Sequence, residues 1–187
     1  NKLCDANHQG VIALNSQIKY YNIQDILDQA YDKGKDPLFL ILDHLNDVGN
    51  FGAIARTALC SGVDAIITPQ KGGVMISGDA IKASAGALNT LPVCRVRFLN
   101  EAIDELKLNG LKIFAAERTA SKAIYELDLK IPLAIVLGSE ENGISNKVAD
   151  QTDEFFQLPM KAAFDSLNVS VSAGMALYEV MRQSLTS

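Results

Sequence analysis

The chain has 187 residues, a formal net charge of −5, 48% hydrophobic and 21% charged side chains. That is ordinary globular composition, enough for one domain with a short lead-in. Two histidines (His8, His44) and three cysteines (Cys4, Cys60, Cys94) without CxxC or other ligand spacing argue against a zinc site and for buried reduced thiols. No apolar run reaches membrane-spanning length and no signal-peptide pattern opens the chain, so a cytoplasmic protein with no membrane partner is expected. The acidic balance counts against nucleic-acid binding, because phosphate contacts need Lys and Arg.

Residues 1–36 read as a lead-in or linker: an apolar piece at Val11–Leu14, then a polar helix near Ile23–Tyr31 ending in the Gly-containing DKGKD. Residues 37–187 read as one domain in which short apolar strands alternate with helices. In chain order these are strand Leu38–Leu42, helix Gly52–Cys60, strand Asp64–Thr68, helix Gly78–Leu88, strand Val93–Val96 and helix Leu99–Leu108. Strands Leu111–Ala115 and Leu133–Leu137, helix Ile144–Asp150, strand Phe155–Leu158 and a last helix near Leu167–Gln183 complete the domain. Strands as uniformly apolar as LFLIL and LAIVL are buried on both faces, which predicts an α/β fold with a mostly parallel sheet covered by helices. The last helix is apolar nearly all round, so two surfaces are expected to cover it.

Ligands of open parallel sheets bind beyond the carboxyl ends of the strands, and three loops there carry unusual chemistry. In Asp43–Ala58, Gly49 and Gly52 flank Asn50 at a strand-to-helix turn. Arg56 follows in a helix otherwise free of charge, either as a fork of donors for a phosphate or as a snorkelling side chain. In Leu137–Ser145 a buried strand ends at Gly138, followed by Glu140, Glu141 and Gly143. This allows close backbone approach to a ligand but is neither a P-loop nor a dinucleotide fingerprint. In Leu158–Gly174, Asp165 or Ser166 could cap the last helix, while Ser166, Asn168, Ser170 and Ser172 crowd polar groups at one end of it; such groups need partners.

Together NFGAIARTA, LGSEENGIS and LPMKAAFDSLNVSVSAG resemble, in order and spacing, the three motifs of the SpoU/TrmH family of RNA 2′-O-ribose methyltransferases, across about Leu38 to Gln183. Two positions depart from the family pattern, Ala162 where Gly is frequent and Glu141 where Gly or Ala is usual. The resemblance implies a SPOUT-type domain whose carboxyl end threads into a deep trefoil knot, although chains otherwise avoid knots. It implies S-adenosylmethionine as cofactor without a metal, held by Gly138, Leu158, Met160, Ser166 and Leu167. Asn50, Arg56, Glu140, Ser166 and Asn168 are the implied catalytic residues, and a homodimer built on the last helix is the implied assembly. Glu140 would tie the first loop to the second.

The segment Asn7–Leu14, NHQGVIAL, resembles the interdomain junction of the RlmB-like ribosomal-RNA guanosine methyltransferases. With an opening residue other than Met, it suggests that a separate RNA-binding domain precedes this one. Structured ribosomal RNA is therefore the expected substrate. The alternatives are transfer RNA, or an RNA-binding module of the same fold without catalysis. A nucleotide-dependent dehydrogenase is disfavoured by the missing glycine fingerprint.

Overall fold

The structure, a computed structural model, describes residues 19–139, 141–161 and 166–186. The cysteine Cys4 and the junction-like Asn7–Leu14 lie outside them. Asn22 caps α1 (Ile23–Asp32) by accepting the Gln24 N–H at 2.8 Å, and Ile23, Ile26, Leu27 and Ala30 form its buried stripe. Six strands follow: β1 (Leu38–Leu42), β2 (Ala65–Pro69), β3 (Val93–Val96), β4 (Lys112–Ala116), β5 (Leu133–Leu137) and β6 (Glu154–Phe156). They form one sheet in the order β3-β2-β1-β5-β4-β6, and every pair is parallel. The residues of β1, β2 and β5 are all buried, as expected for strands with helices on both faces.

Side-chain alternation divides the core in two. Leu40 and Leu42 of β1 pack with α2 (Val48–Cys60), α3 (Gly78–Ala83) and α6 (Val169–Leu185). Phe39 and Ile41 pack with α1, α4 (Leu99–Leu108) and α5 (Asn146–Ala149). Residues 19–36 therefore contribute a helix to the same core as the rest, whatever precedes them. Among the described residues no helix is long and apolar enough to cross a membrane.

Several local expectations are corrected. Helix α2 begins at Val48, not Gly52, because Asp47 accepts the Asn50 N–H at 2.6 Å and caps it early. Gly49 and Asn50 thus sit in the first helical turn rather than in a loop. Gly52 lies inside the helix because a Cβ there would come within 2.5 Å of the Ala83 Cβ, so its absence lets α2 and α3 touch. The expected helix Gly78–Leu88 stops at Ala83, since Ala85 (φ 50°) and Gly86 (φ 87°) turn the chain into a 3₁₀ turn over Ala87–Asn89. Of the thiols, Cys94 is buried and desolvation pushes its pKa up to about 12, but Cys60 is exposed at the end of α2.

The cap of α6 is Asn168, which accepts the Ser170 N–H at 2.9 Å, and not Ser166; Asp165 lies outside the described residues. The far end of α6 is fixed by buried Gln183, which donates to Leu127 O and accepts from Leu129 N–H, both at 3.0 Å. The side chain of Gln183 also donates to Glu179 at 2.9 Å, and Glu179 pairs with Arg182 at 2.7 Å. Among the described residues only one side of α6 is covered: Val169, Ala173, Ala176, Leu177 and Val180 are buried, while Val171, Met175 and Tyr178 are exposed. The threading implied by the resemblance turns on the segment between β6 and α6, of which residues 162–165 lie outside the described residues.

Edge strand β6 is clipped to β4 by Glu154, which pairs with both Lys112 and Lys122; these bonds hold its carboxyl below the usual range. Such a group stabilises the fold above its unfolded-state pKa and loses that contribution as pH falls through the lower folded value. Glu154→Gln should cost about 0.5–1 kcal/mol at neutral pH, since both lysines are partly exposed. In urea titrations the difference from the unaltered chain should vanish once the pH lies below the carboxylate range.

Candidate active site

The carboxyl ends of β5, β4 and β6 and the start of α6 enclose a cavity of about 400 Å³. Gly138 and Ser139 enter it after β5, Glu117 and Arg118 after β4, Leu158 and Met160 after β6, and Ser166 and Leu167 ahead of α6. Gly138, Leu158, Met160, Ser166 and Leu167, the five positions the resemblance assigns to cofactor, thus line one space. Two close backbone approaches make it. A Cβ on Gly138 would stand 2.2 Å from the carbonyl of Gly143, so only hydrogen fits between the two segments. Gly143 closes the turn with φ 62°, its N–H donating to Ser139 O at 2.9 Å, while the Asn142 N–H donates to Ser139 Oγ at 3.1 Å. Glu140 lies outside the described residues.

Two hydrogen bonds join the loops to one another. Asp43, 3% exposed at the end of β1, accepts the Ser145 N–H through Oδ2 at 2.8 Å, and its own N–H donates to Leu137 O. It ties the first loop to the second, the role the resemblance gives to Glu140. His44 follows with φ 56°, a conformation that costs a non-glycine residue energy, so the chain bends sharply right after the buried carboxylate. Asn168 Nδ2 donates to Asn50 Oδ1 at 3.1 Å, joining the first loop to the third, and Asn168 Oδ1 accepts from Ser170 N and Oγ.

Arg56 stands apart. It is exposed on α2, on the stripe that also shows Ala53, Leu59 and Cys60, and has no hydrogen-bond or ion-pair partner among the described residues. Six residues after Asn50, it lies about 9 Å further along the helix and roughly 120° around it. So the structure brings Asn50 to Asn168 and Ser166 into the cavity, but leaves Arg56 facing away from Asn50. Among the described residues no three His, Cys, Asp or Glu side chains converge on a common point.

Sequence reasoning missed two contributors. Asp43 was legible only as a residue at a strand end; a carboxylate directly after five buried apolar positions was the available signal. The loop after β4 was also passed over, although Glu117 and Arg118 put charge at a carboxyl end beside Gly138. Asp43→Ala should strand the Ser145 N–H and cost about 1–3 kcal/mol, with Asp43→Asn milder because an amide oxygen can still accept. Gly138→Ala should cost a similar amount, about 1–3 kcal/mol, by overpacking. Chemical denaturation reads both; an unchanged midpoint for Gly138→Ala would contradict the close approach.

The all-parallel α/β fold that positions this cavity is similar to that of solved SpoU methyltransferases. One of them, the SpoU methyltransferase AviRb from Streptomyces viridochromogenes in complex with AdoMet, is 25% identical with a TM-score of 0.77, covering 81% of this chain and 62% of that one. A solved RNA 2′-O ribose methyltransferase is 31% identical with a TM-score of 0.72, covering 80% of this chain and 57% of that one. This chain therefore spans about three fifths of those structures' length. A chain of Staphylococcus epidermidis named for the TrmH family of tRNA/rRNA methyltransferases is 41% identical over 181 residues, 97% of this chain and 73% of that one. The sequence signature of the SpoU rRNA Methylase family matches residues 37–178. The chain belongs to that family.

Proposed function

We propose that the protein transfers a methyl group from S-adenosylmethionine to a ribose 2′-hydroxyl in structured RNA, with ribosomal RNA and guanosine as the favoured target. One observation carries the reading: five residues from two separate loops surround a single cavity at the carboxyl ends of three strands. Its volume lies in the usual range for small-molecule sites. Leu137, Ile144, Leu158 and Val169 offer apolar walls for a flat ring, and Ser139, Asn142, Ser166 and Glu117 offer polar groups at its margins. That mix suits a nucleoside with a charged tail. The reading carries with it the C-terminal trefoil knot, in which backbone at Gly138, Leu158 and Leu167 would hold the cofactor bent.

When bound, S-adenosylmethionine supplies a methyl on an already activated sulfonium, so most of the acceleration comes from positioning. Arg56 acts on the RNA. A guanidinium stays protonated, so it clamps phosphate and ribose and lowers the pKa of the hydroxyl; a phosphate oxygen or water takes the proton. Asn50, held by Asn168, contacts the ribose or keeps the loop in place. Ser166 fixes the third loop against the cofactor, and Glu140 orients Asn50 or Arg56.

The protein acts as a homodimer. Val171, Met175 and Tyr178 of α6 are exposed in the single subunit, as is Leu59 of α2, and α2 and α6 meet where Gly174 faces Thr57. A second subunit on these apolar stripes would bury them. Arg56, turned outward and without a partner among the described residues, would then serve the partner's cavity.

Arg56→Ala should abolish transfer of a labelled methyl to RNA while calorimetry still reads one S-adenosylmethionine per subunit without added metal. Arg56→Lys should fail as well, because charge without the fork is not enough. Leu158→Trp, which narrows the cavity, should lose cofactor binding. Mixing the Arg56→Ala and Leu158→Trp chains should restore part of the activity if Arg56 works across the dimer. Normal activity of Arg56→Lys, or no recovery on mixing, would contradict these roles.

A further inference from the structure

At the opposite edge of the sheet from the cavity, Lys71, Arg95 and Arg97 stand at the carboxyl ends of β2 and β3, with the Tyr20 and Phe98 rings against the two arginines. Tyr20 forms a parallel bridge to Val93, and the Tyr21 N–H donates to Val93 O, so the chain enters the domain along β3. The Arg95 guanidinium lies 5.6 Å from the centre of the Tyr20 ring, and its Nη2 donates to Gln70 O at 3.0 Å. Lys71 follows Gln70 and shares an open recess with Tyr20 and Arg95. Two residues beyond Arg95, the Arg97 guanidinium sits 5.1 Å from the Phe98 ring.

Two features set this patch apart from ordinary solvated surface. Both rings are exposed, Tyr20 at 37% and Phe98 at 44%. Arg95 is preorganised: ring and carbonyl fix its fork, and its buried Nε has no partner among the described residues. In a chain of net charge −5 such a concentration of cations is not a product of composition.

We infer that this patch is a second RNA-docking surface, which takes an unpaired stretch of the substrate strand. The inference rests on the proposed function. Arg and Lys neutralise phosphates, and exposed aromatic rings stack splayed bases, the combination by which proteins hold single-stranded RNA. A duplex hides its bases from such rings. Because the sheet is parallel, the patch and the cavity lie at the same end of it. From β3 to β4 there are four strand steps of about 4.8 Å, or about 19 Å. The amino end of α2, which follows β1 and carries Asn50, lies between them. An RNA crossing the strand ends can therefore touch the patch while its target ribose reaches the site.

The test uses the whole chain, a fluorescein-labelled oligouridylate, a blunt RNA duplex of equal length, and methyl transfer to total bacterial RNA. The double variant Lys71→Glu/Arg97→Glu should weaken oligouridylate binding by about tenfold or more. Its salt dependence should flatten by about 1.4 in log–log slope, for two lost phosphate contacts. Tyr20→Ala should weaken oligouridylate binding while leaving duplex binding in place, and both variants should keep S-adenosylmethionine affinity. If the variants bind and methylate RNA as the unaltered chain does, the patch assignment is overturned and the proposed function stands. Equal losses on duplex and oligouridylate, with Tyr20→Ala silent, would overturn the unpaired strand as occupant. If the unaltered chain binds S-adenosylmethionine but neither binds nor methylates RNA, the functional reading falls, and the patch with it.

Discussion

The contact between the backbones of Gly138 and Gly143 is the constraint on which the site depends. A 2.2 Å separation from a hypothetical Cβ leaves room for hydrogen alone, so β5 can end against the turn that follows it. That turn is pinned from the side by Asp43, whose buried carboxylate accepts the Ser145 N–H. With the turn held back, space opens beyond β5, β4 and β6, and the segment leading into α6 forms its far wall. A side chain at Gly138 or a missing acceptor at Asp43 would move the turn into that space. The same buried carboxylate directly precedes the turn into α2, where Asn50 stands, so one hydrogen bond joins the β1–α2 connection to the turn after β5.

The cavity and the cap of α6 share a second economy. Asn168 ends the irregular segment by capping the helix with its Oδ1 and reaches Asn50 with its Nδ2. One side chain thus starts the helix, fixes a wall of the cavity and orients the first loop. The opposite end of α6 is fixed by Gln183 and Glu179, so the helix cannot slide along α2 without breaking buried hydrogen bonds.

Much of the fold was legible because the strands β1 and β5 are apolar without interruption, which fixes both their burial and their parallel pairing. Strand limits were read to within a residue or two for the same reason. Helix ends were less legible. The early start of α2 depends on a side-chain cap by Asp47 in a segment rich in turn residues, and the break after α3 depends on Ala85 adopting a left-handed φ that alanine does not advertise. At the site, Gly138 and the Leu158–Leu167 segment were readable as close backbone approaches and strand-end loops. Asp43, Glu117 and Arg118 were not, because which strand lies beside which is a property of the sheet order and not of local sequence. The basic patch around Arg95 was hidden for a related reason: Lys71 lies far from Arg95 and Arg97 in the chain, and the acidic total obscured their meeting at one edge.

The central claim is that this cavity serves transfer of a methyl group to ribose oxygen, and the chemical position of the product tests it most directly. Total bacterial RNA incubated with the protein and isotopically labelled S-adenosylmethionine would be digested to nucleosides and resolved by mass spectrometry. The account predicts label in a 2′-O-methylated nucleoside, lost from RNA treated with the Arg56→Ala chain. Label on a base, or no label above that variant, would contradict it.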